Sequence, residues 1–148
     1  MKIRKIEDAP PSLLINHISK MFDDRMRQKS EAAGISEGWR KILFHLKHSK
    51  NMTQLELAKR THLSAPAVSV TLQKMEIMGL VSRRHDPKDQ RAILVCLTEE
   101  GHAADRKVIR LIQATEQELL EGISEQELAA IRPILLRMYR NFAGGGEE

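Results

Sequence analysis

Apolar residues recur along most of this chain at spacings of three and four, the period of a helix with one buried face. Leu14, Ile18, Met21 and Phe22 share one such stripe, and Ile15, Phe22 and Met26 an adjoining one. They predict a first helix from an N-cap at Ser12 to about Ala33, stopped by Gly34. Trp39, Ile42, Leu43 and Leu46 form the apolar face of a second helix, capped by Ser36 and broken at Lys50 and Asn51. Thr53-Gln54-Leu55-Glu56 has the form of a capping box and opens a short helix ending near Arg60. After a turn at Thr61-His62-Leu63, Ser64 caps another helix. Pro66 lies in its first turn, Val68, Leu72 and Met75 make its inner stripe, and Gly79 ends it.

The period then changes. Leu80 to Arg84 and Ala92 to Leu97 are β-prone runs separated by the polar, turn-forming segment His85 to Arg91, which predicts a hairpin with a charged tip. Helical spacing returns with Thr98 as cap and Ala104, Val108, Leu111, Ile112, Thr115 and Leu119 on one face, up to Gly122. A second capping box, Ser124 to Glu127, opens the last helix, with Leu128, Ile131, Leu135, Met138, Tyr139 and Phe142. Pro133 is expected to kink that helix or disturb one turn.

The fold class predicted is mainly α with a small β-hairpin wing: a winged helix-turn-helix with further helices before and after it. The parts expected are an N-terminal arm and first helix (1–35), the winged helix-turn-helix (36–97), C-terminal helices (98–143) and a flexible tail (144–148).

Composition narrows the class. The chain has 148 residues and 30% charged residues, but only 3% aromatics, so its core must be aliphatic. A single cysteine, Cys96, excludes an internal disulfide framework and a multi-thiolate zinc site. No apolar run resembles a signal peptide or a membrane span, so the expected setting is the cytoplasm, away from membrane. Residues 1–52 hold 11 Lys/Arg against 6 Asp/Glu, residues 53–97 hold 7 against 4, and residues 98–148 hold 6 against 10. The cationic excess therefore lies in the first two thirds, where a nucleic-acid contact would fall.

A helical wheel turns Pro66, Val70, Gln73 and Ile77 away from the inner stripe, with Ala67, Ser69 and Lys74 on the flanks. The leading end of the outer face, Ala65, Pro66, Ala67 and Ser69, is small enough to enter a major groove about 12 Å wide. Ser64, Ser69 and Thr71 carry hydroxyls for phosphates, and Lys74 a charge. Such a face is also that of an ordinary surface helix. The adjacent hairpin favours DNA, because Lys88 and Arg91 stand at its tip and an Arg on a protruding turn fits a narrow minor groove. Asp89 is placed to hold that Arg.

The stretch from Thr53 to Gly101 resembles the MarR family of winged-helix regulators. The residues that carry the likeness are Gln54-Leu55-Glu56-Leu57-Ala58, Leu63-Ser64, Val68-Ser69, Leu72-Gln73-Lys74-Met75-Glu76, Gly79-Leu80-Val81, Arg84, Asp86-Pro87, Asp89, Arg91 and Leu97-Thr98-Glu99-Glu100-Gly101. The resemblance implies a homodimer built by the first and last two helices, with 1–35 as arm and dimerisation helix, 36–97 as DNA-binding domain and 98–143 as C-terminal dimerisation helices forming a helical dimerisation region, on a pseudo-palindromic double-stranded operator. It implies base contacts from the helix beginning at Ser64, Arg91 in the minor groove with Asp89 as its partner, and Arg84 nearby. It also implies a repressor responsive to a small aromatic or phenolic effector, for which Met21, Phe22, Trp39, Leu43 and Met138 are the pocket candidates. Val70 departs from the long polar residue many members carry, and offers a thymine methyl an apolar contact instead.

No catalytic constellation, phosphate loop or cofactor motif is present, so neither an enzyme nor a bound cofactor is expected. The six histidines lack metal-ligand spacing, and no metal is expected. Cys96 is expected to be a structural thiol, with oxidant sensing as the alternative. The alternative to DNA readout is a winged-helix protein–protein interaction module.

Overall fold

A computed structural model describes residues 5–144. After a 3-10 turn at Ile6–Asp8, the elements are α1 (Pro11–Ala32), α2 (Glu37–Leu46), β1 (Met52–Thr53), α3 (Gln54–Thr61), α4 (Ala65–Ile77), β2 (Val81–His85), β3 (Ile93–Leu97), α5 (Glu99–Leu119) and α6 (Glu125–Ala143). The mainly helical class with a small hairpin is as expected. The chain divides into two units, residues 1–115 and 116–148, with the division falling inside α5. The sequence had suggested parts meeting at 35/36 and 97/98.

In the first unit, Ile35 and α2 residues Ile42, Leu43 and Leu46 pack with Leu57 and Ala58 of α3 and with Val68, Leu72 and Met75 of α4. Met52, Val81 and Val95 bring in the sheet, and Ala104 and Val108 bring in α5. The whole inner stripe of α4 is fully buried, as the helical spacing required. The sheet runs β1-β3-β2 and is antiparallel throughout, with Val81 opposite Leu97, His85 opposite Ile93, and Met52 opposite Val95. At two residues, β1 is too short for alternation to reveal.

Gly79, with φ +76°, turns the chain out of α4. The Thr98 hydroxyl donates back to the Gly79 carbonyl and accepts the Gly101 amide, fastening the start of α5 to that turn. Gly101 is obligatory there, because a Cβ would lie 2.0 Å from the Leu80 carbonyl oxygen. Further along α5, the Thr115 hydroxyl donates to the Leu111 carbonyl at 2.8 Å and accepts Lys29 Nζ at 3.2 Å, tying α1 to α5 beside the buried Met26.

One local expectation changes. The N-cap of α1 is Pro10 and not Ser12, because Pro11 takes the first helical position, where its fixed φ fits and its missing amide costs nothing. α6 runs from Glu125 to Ala143 with Pro133 inside it.

The second unit holds the end of α5, a turn at Gly122 (φ +77°) and α6, which its capping box opens. No residue of α6 is buried; Leu128, Ile131, Ile134, Leu135, Leu136, Met138 and Phe142 are all exposed. The turn at Gly144 closes the helix, and the rest of the expected tail, 145–148, lies outside the described residues, as do residues 1–4.

Candidate nucleic-acid interface

The interface is assembled from three local devices. The first is the α3 capping box: Thr53 Oγ1 accepts the Glu56 amide at 3.1 Å, and Glu56 Oε2 accepts the Thr53 amide at 2.9 Å. The second is the turn between α3 and α4. The Thr61 hydroxyl donates to the Leu57 carbonyl at 2.6 Å, and His62 adopts a left-handed conformation (φ 56°) that reverses the chain within three residues. Ser64 Oγ then accepts the Ala67 amide at 3.2 Å and starts α4, with Pro66 in the first turn. These bonds leave Ala65, Pro66 and Ala67 exposed at the leading end, followed by Val70, Gln73 and Lys74, with Ser69 half-buried.

The third device is the wing between β2 and β3. Asp86 Oδ1 accepts the Lys88 amide at 2.9 Å and Asp89 Oδ1 accepts the Arg91 amide at 3.0 Å, two Asx turns in succession. The Asp86 amide donates to the Ala92 carbonyl at 2.9 Å, closing the loop. Both acids at the tip are thereby spent on backbone donors, while the Lys88 and Arg91 side chains stand exposed. This corrects the expectation for Asp89: it holds the Arg91 backbone, not the guanidinium, because the turn brings its carboxylate onto the amide two residues ahead.

The devices converge. Thr53, Gln54 and Leu55 of the α3 start, Ala65 of α4, and Asp89, Arg91, Ala92 and Ile93 of the wing line one open concavity of about 450 Å³. The leading end of α4 and the wing arginine thus face a common space. Arg84, also expected at the interface, is exposed and donates to Asn51 Oδ1 at 3.1 Å.

Thr71 does not join them. Its hydroxyl donates to the Ala67 carbonyl at 2.8 Å, and it faces α2, close enough for a Cβ on Gly38 to lie 3.6 Å from its methyl. The expected phosphate donor is therefore an internal one, because one helical turn brings the hydroxyl back onto its own backbone.

The effector candidates are divided between the two units. Leu43 is wholly inside the core and lines no open space, since its stripe on α2 packs against α3 and α4; this overturns its assignment to a pocket. Trp39 is half-buried against the same core, Phe22 is half-buried on α1, and Met21 is exposed. Met138 belongs to the second unit, on a shallow groove along α6 with Ile134, Arg137, Arg140 and Asn141. Cys96 is half-buried, its Sγ 2.9 Å from Ser82 Oγ on the paired strand.

Sequence reasoning missed Arg83 and its contacts. Arg83 bridges Glu76 on α4 and Gln54 on α3. The available signal was strand alternation: Arg83 shares a strand face with buried Val81, whereas Ser82 and Arg84 point outward. Electrostatics elsewhere in the first unit are modest. His45 on α2 has its pKa held below the ordinary histidine value by burial, then by nearby Arg60 and His62. Among the described residues no cluster of three metal-ligating side chains occurs, and no helix is long and apolar enough to cross a membrane.

This arrangement of two helices, a tight turn and a hairpin, with a small-faced helix end beside a cationic finger, defines a winged helix-turn-helix regulator. The MarR family profile matches residues 36–101. The uncharacterized HTH-type transcriptional regulator YdgJ of Bacillus subtilis (strain 168) is 32% identical over 108 residues, which are 73% of this chain and 66% of that protein. A substitution mutant of MepR from S. aureus superposes with a TM-score of 0.82 at 26% identity, over 90% of this chain and 99% of that one. A cysteine-to-serine mutant of MarR from E. coli complexed with operator DNA gives 0.69 at 25% identity, over 93% and 99%. By profile, sequence and fold the chain is similar to the MarR family of regulators.

Proposed function

We propose that this chain is a homodimeric transcriptional repressor that reads a pseudo-palindromic duplex operator and releases it when a small aromatic or phenolic effector binds. In each protomer the leading end of α4 (Ser64, Ala65, Pro66, Ala67, Ser69, Val70, Gln73 and Lys74) enters the major groove. Arg91 enters the adjoining minor groove, with Lys88 and Arg84 on phosphates. The observation that carries the reading is the shared concavity: Ala65 and Arg91 border the same space, though 26 positions separate them in sequence. A helix with small residues at its leading end and an unpaired Arg beside it suits two adjacent grooves of one duplex. The operator complex of the E. coli relative gives the reading a precedent.

Dimerisation is supported by α6, whose apolar residues are exposed among the described residues. Repression relieved by an effector rests on the family resemblance. The mechanism is geometric: two α4 helices must lie about 34 Å apart to meet successive major grooves, and a ligand that changes this spacing lowers affinity. Selection of duplexes from a random pool tests operator reading. Enrichment of a dyad with half-sites about one helical turn apart supports it, and no enrichment over unselected DNA refutes it. Titration of aromatic acids against the selected duplex tests the effector part, for which weakened binding is expected.

A further inference from the structure

Arg83 lies largely inside the first unit, with its side chain 20% exposed. Its guanidinium joins three elements. Nε and Nη2 donate to the two carboxylate oxygens of Glu76 at 3.4 and 3.3 Å, and Nη1 donates to Gln54 Oε1 at 3.5 Å. A guanidinium has only donors, so the partner atom on Gln54 must be the amide oxygen. That contact settles which way the amide faces: its oxygen is held toward Arg83 and its two N–H groups are turned away. Those N–H groups donate to no described residue. Gln54 also lines the concavity shared by Ala65 and Arg91.

We propose that Gln54 is a further DNA-contacting residue, donating from its amide nitrogen to a backbone phosphate, and that Arg83 is the positioning residue that fixes the amide. The inference rests on the DNA-binding reading above. A donor presented beside a cation, in a groove bordered by the leading end of α4, suits an anionic oxygen rather than a base edge. Phosphate contacts of this kind set register without reading sequence. Arg83 itself is neutralised by the fork of Glu76, so it releases no counterion when DNA binds.

The charge balance supplies a test that loss of fold would not mimic. Binding is measured with the full chain, on its selected operator and on an unrelated duplex of equal length, across a salt series. Gln54→Ala is expected to weaken both by a similar factor, about 3- to 10-fold for each protomer engaged, the worth of one neutral hydrogen bond apiece. The slope of log affinity against log salt stays unchanged, because no cation is removed. Gln54→Glu keeps the acceptor for Arg83 but replaces the donor by a negative charge, and is expected to bind more weakly than Gln54→Ala. Arg83→Met is expected to reproduce the loss, again without flattening the slope, and to add little in the double variant. Thermal melts accompany each variant, and alanine is well tolerated at the first helical position.

Wild-type affinity in Gln54→Ala overturns the proposal. A slope reduced by about one unit for each protomer engaged in Arg83→Met overturns the positioning role, since Arg83 would then meet phosphate directly. Failure of the wild-type chain to bind either duplex removes the DNA reading as well, and is thereby distinguished from failure of this inference alone.

Discussion

The region from α2 to the start of α5 and the region of α6 use similar residues to opposite ends. In the first, the Leu, Ile, Val and Met side chains of every stripe are buried against one another, and α4 buries Val68, Leu72 and Met75 completely. In the second, Leu128, Ile131, Leu135 and Met138 recur with the same helical spacing, yet all are exposed. Periodicity alone therefore specifies a buried face but not what buries it. The first region finds its cover among its own elements, whereas the apolar face of α6 stays exposed among the described residues and is the face that the proposal gives to a second copy. On the proposed reading of a dyad, this division leaves the spacing between two reading heads to a contact separate from the heads themselves.

The largest expected effect breaks the first side of the comparison. Leu72→Ala should destabilise the chain by about 2–5 kcal/mol, because it leaves a cavity under α4. Urea unfolding at two protein concentrations checks this, and the loss should be the same at both. Leu135→Asp should break the other side. It places a charge on the face that the proposal gives to the partner copy, and sedimentation should show monomer at concentrations where the wild type is a dimer. The far-ultraviolet dichroism of the variant should remain helical; a stable dimer in this variant would remove α6 from the interface.

A smaller effect sharpens the comparison by testing how closely the first region is packed. Burial, Arg60 and His62 hold the His45 pKa below its usual value. The folded state then binds this proton less readily than the unfolded state, so the term is absent above about pH 6.5. As pH falls below that value the unfolded form takes up the proton first and stability declines, levelling once the folded-state pKa is passed. His45→Gln should lessen that acid-side decline in thermal melts, and an unchanged pH profile would show that His45 contributes nothing to it.

Local signals carried most of the fold into the sequence. The caps at Ser36, Thr53, Ser64 and Ser124 and the turns at Gly34, Gly79 and Gly122 depend on a few neighbouring residues, and each appears where its pattern required. The hairpin was legible because the period changes from helical to alternating at Leu80. What remained hidden depends on partners distant in sequence. Arg83 meets Gln54, 29 positions away, and no local pattern announces that pairing. Asp89 was rightly placed beside Arg91 but assigned to the wrong atoms, since only the loop's backbone decides whether a carboxylate reaches a guanidinium or an amide. Thr71 was misjudged because a wheel gives direction and not hydrogen-bond competition. Leu43 looked available only because an apolar stripe does not reveal whether it faces core or cavity.

The most direct test compares wild type and Arg91→Ala on the selected operator over a range of potassium chloride concentrations. The account predicts that log affinity of the wild type falls steeply and linearly with log salt, and that the variant binds more weakly with a slope shallower by about one unit for each wing engaged. Binding that ignores salt, or a variant indistinguishable from the wild type, would contradict a DNA-reading surface formed by the leading end of α4 and the wing.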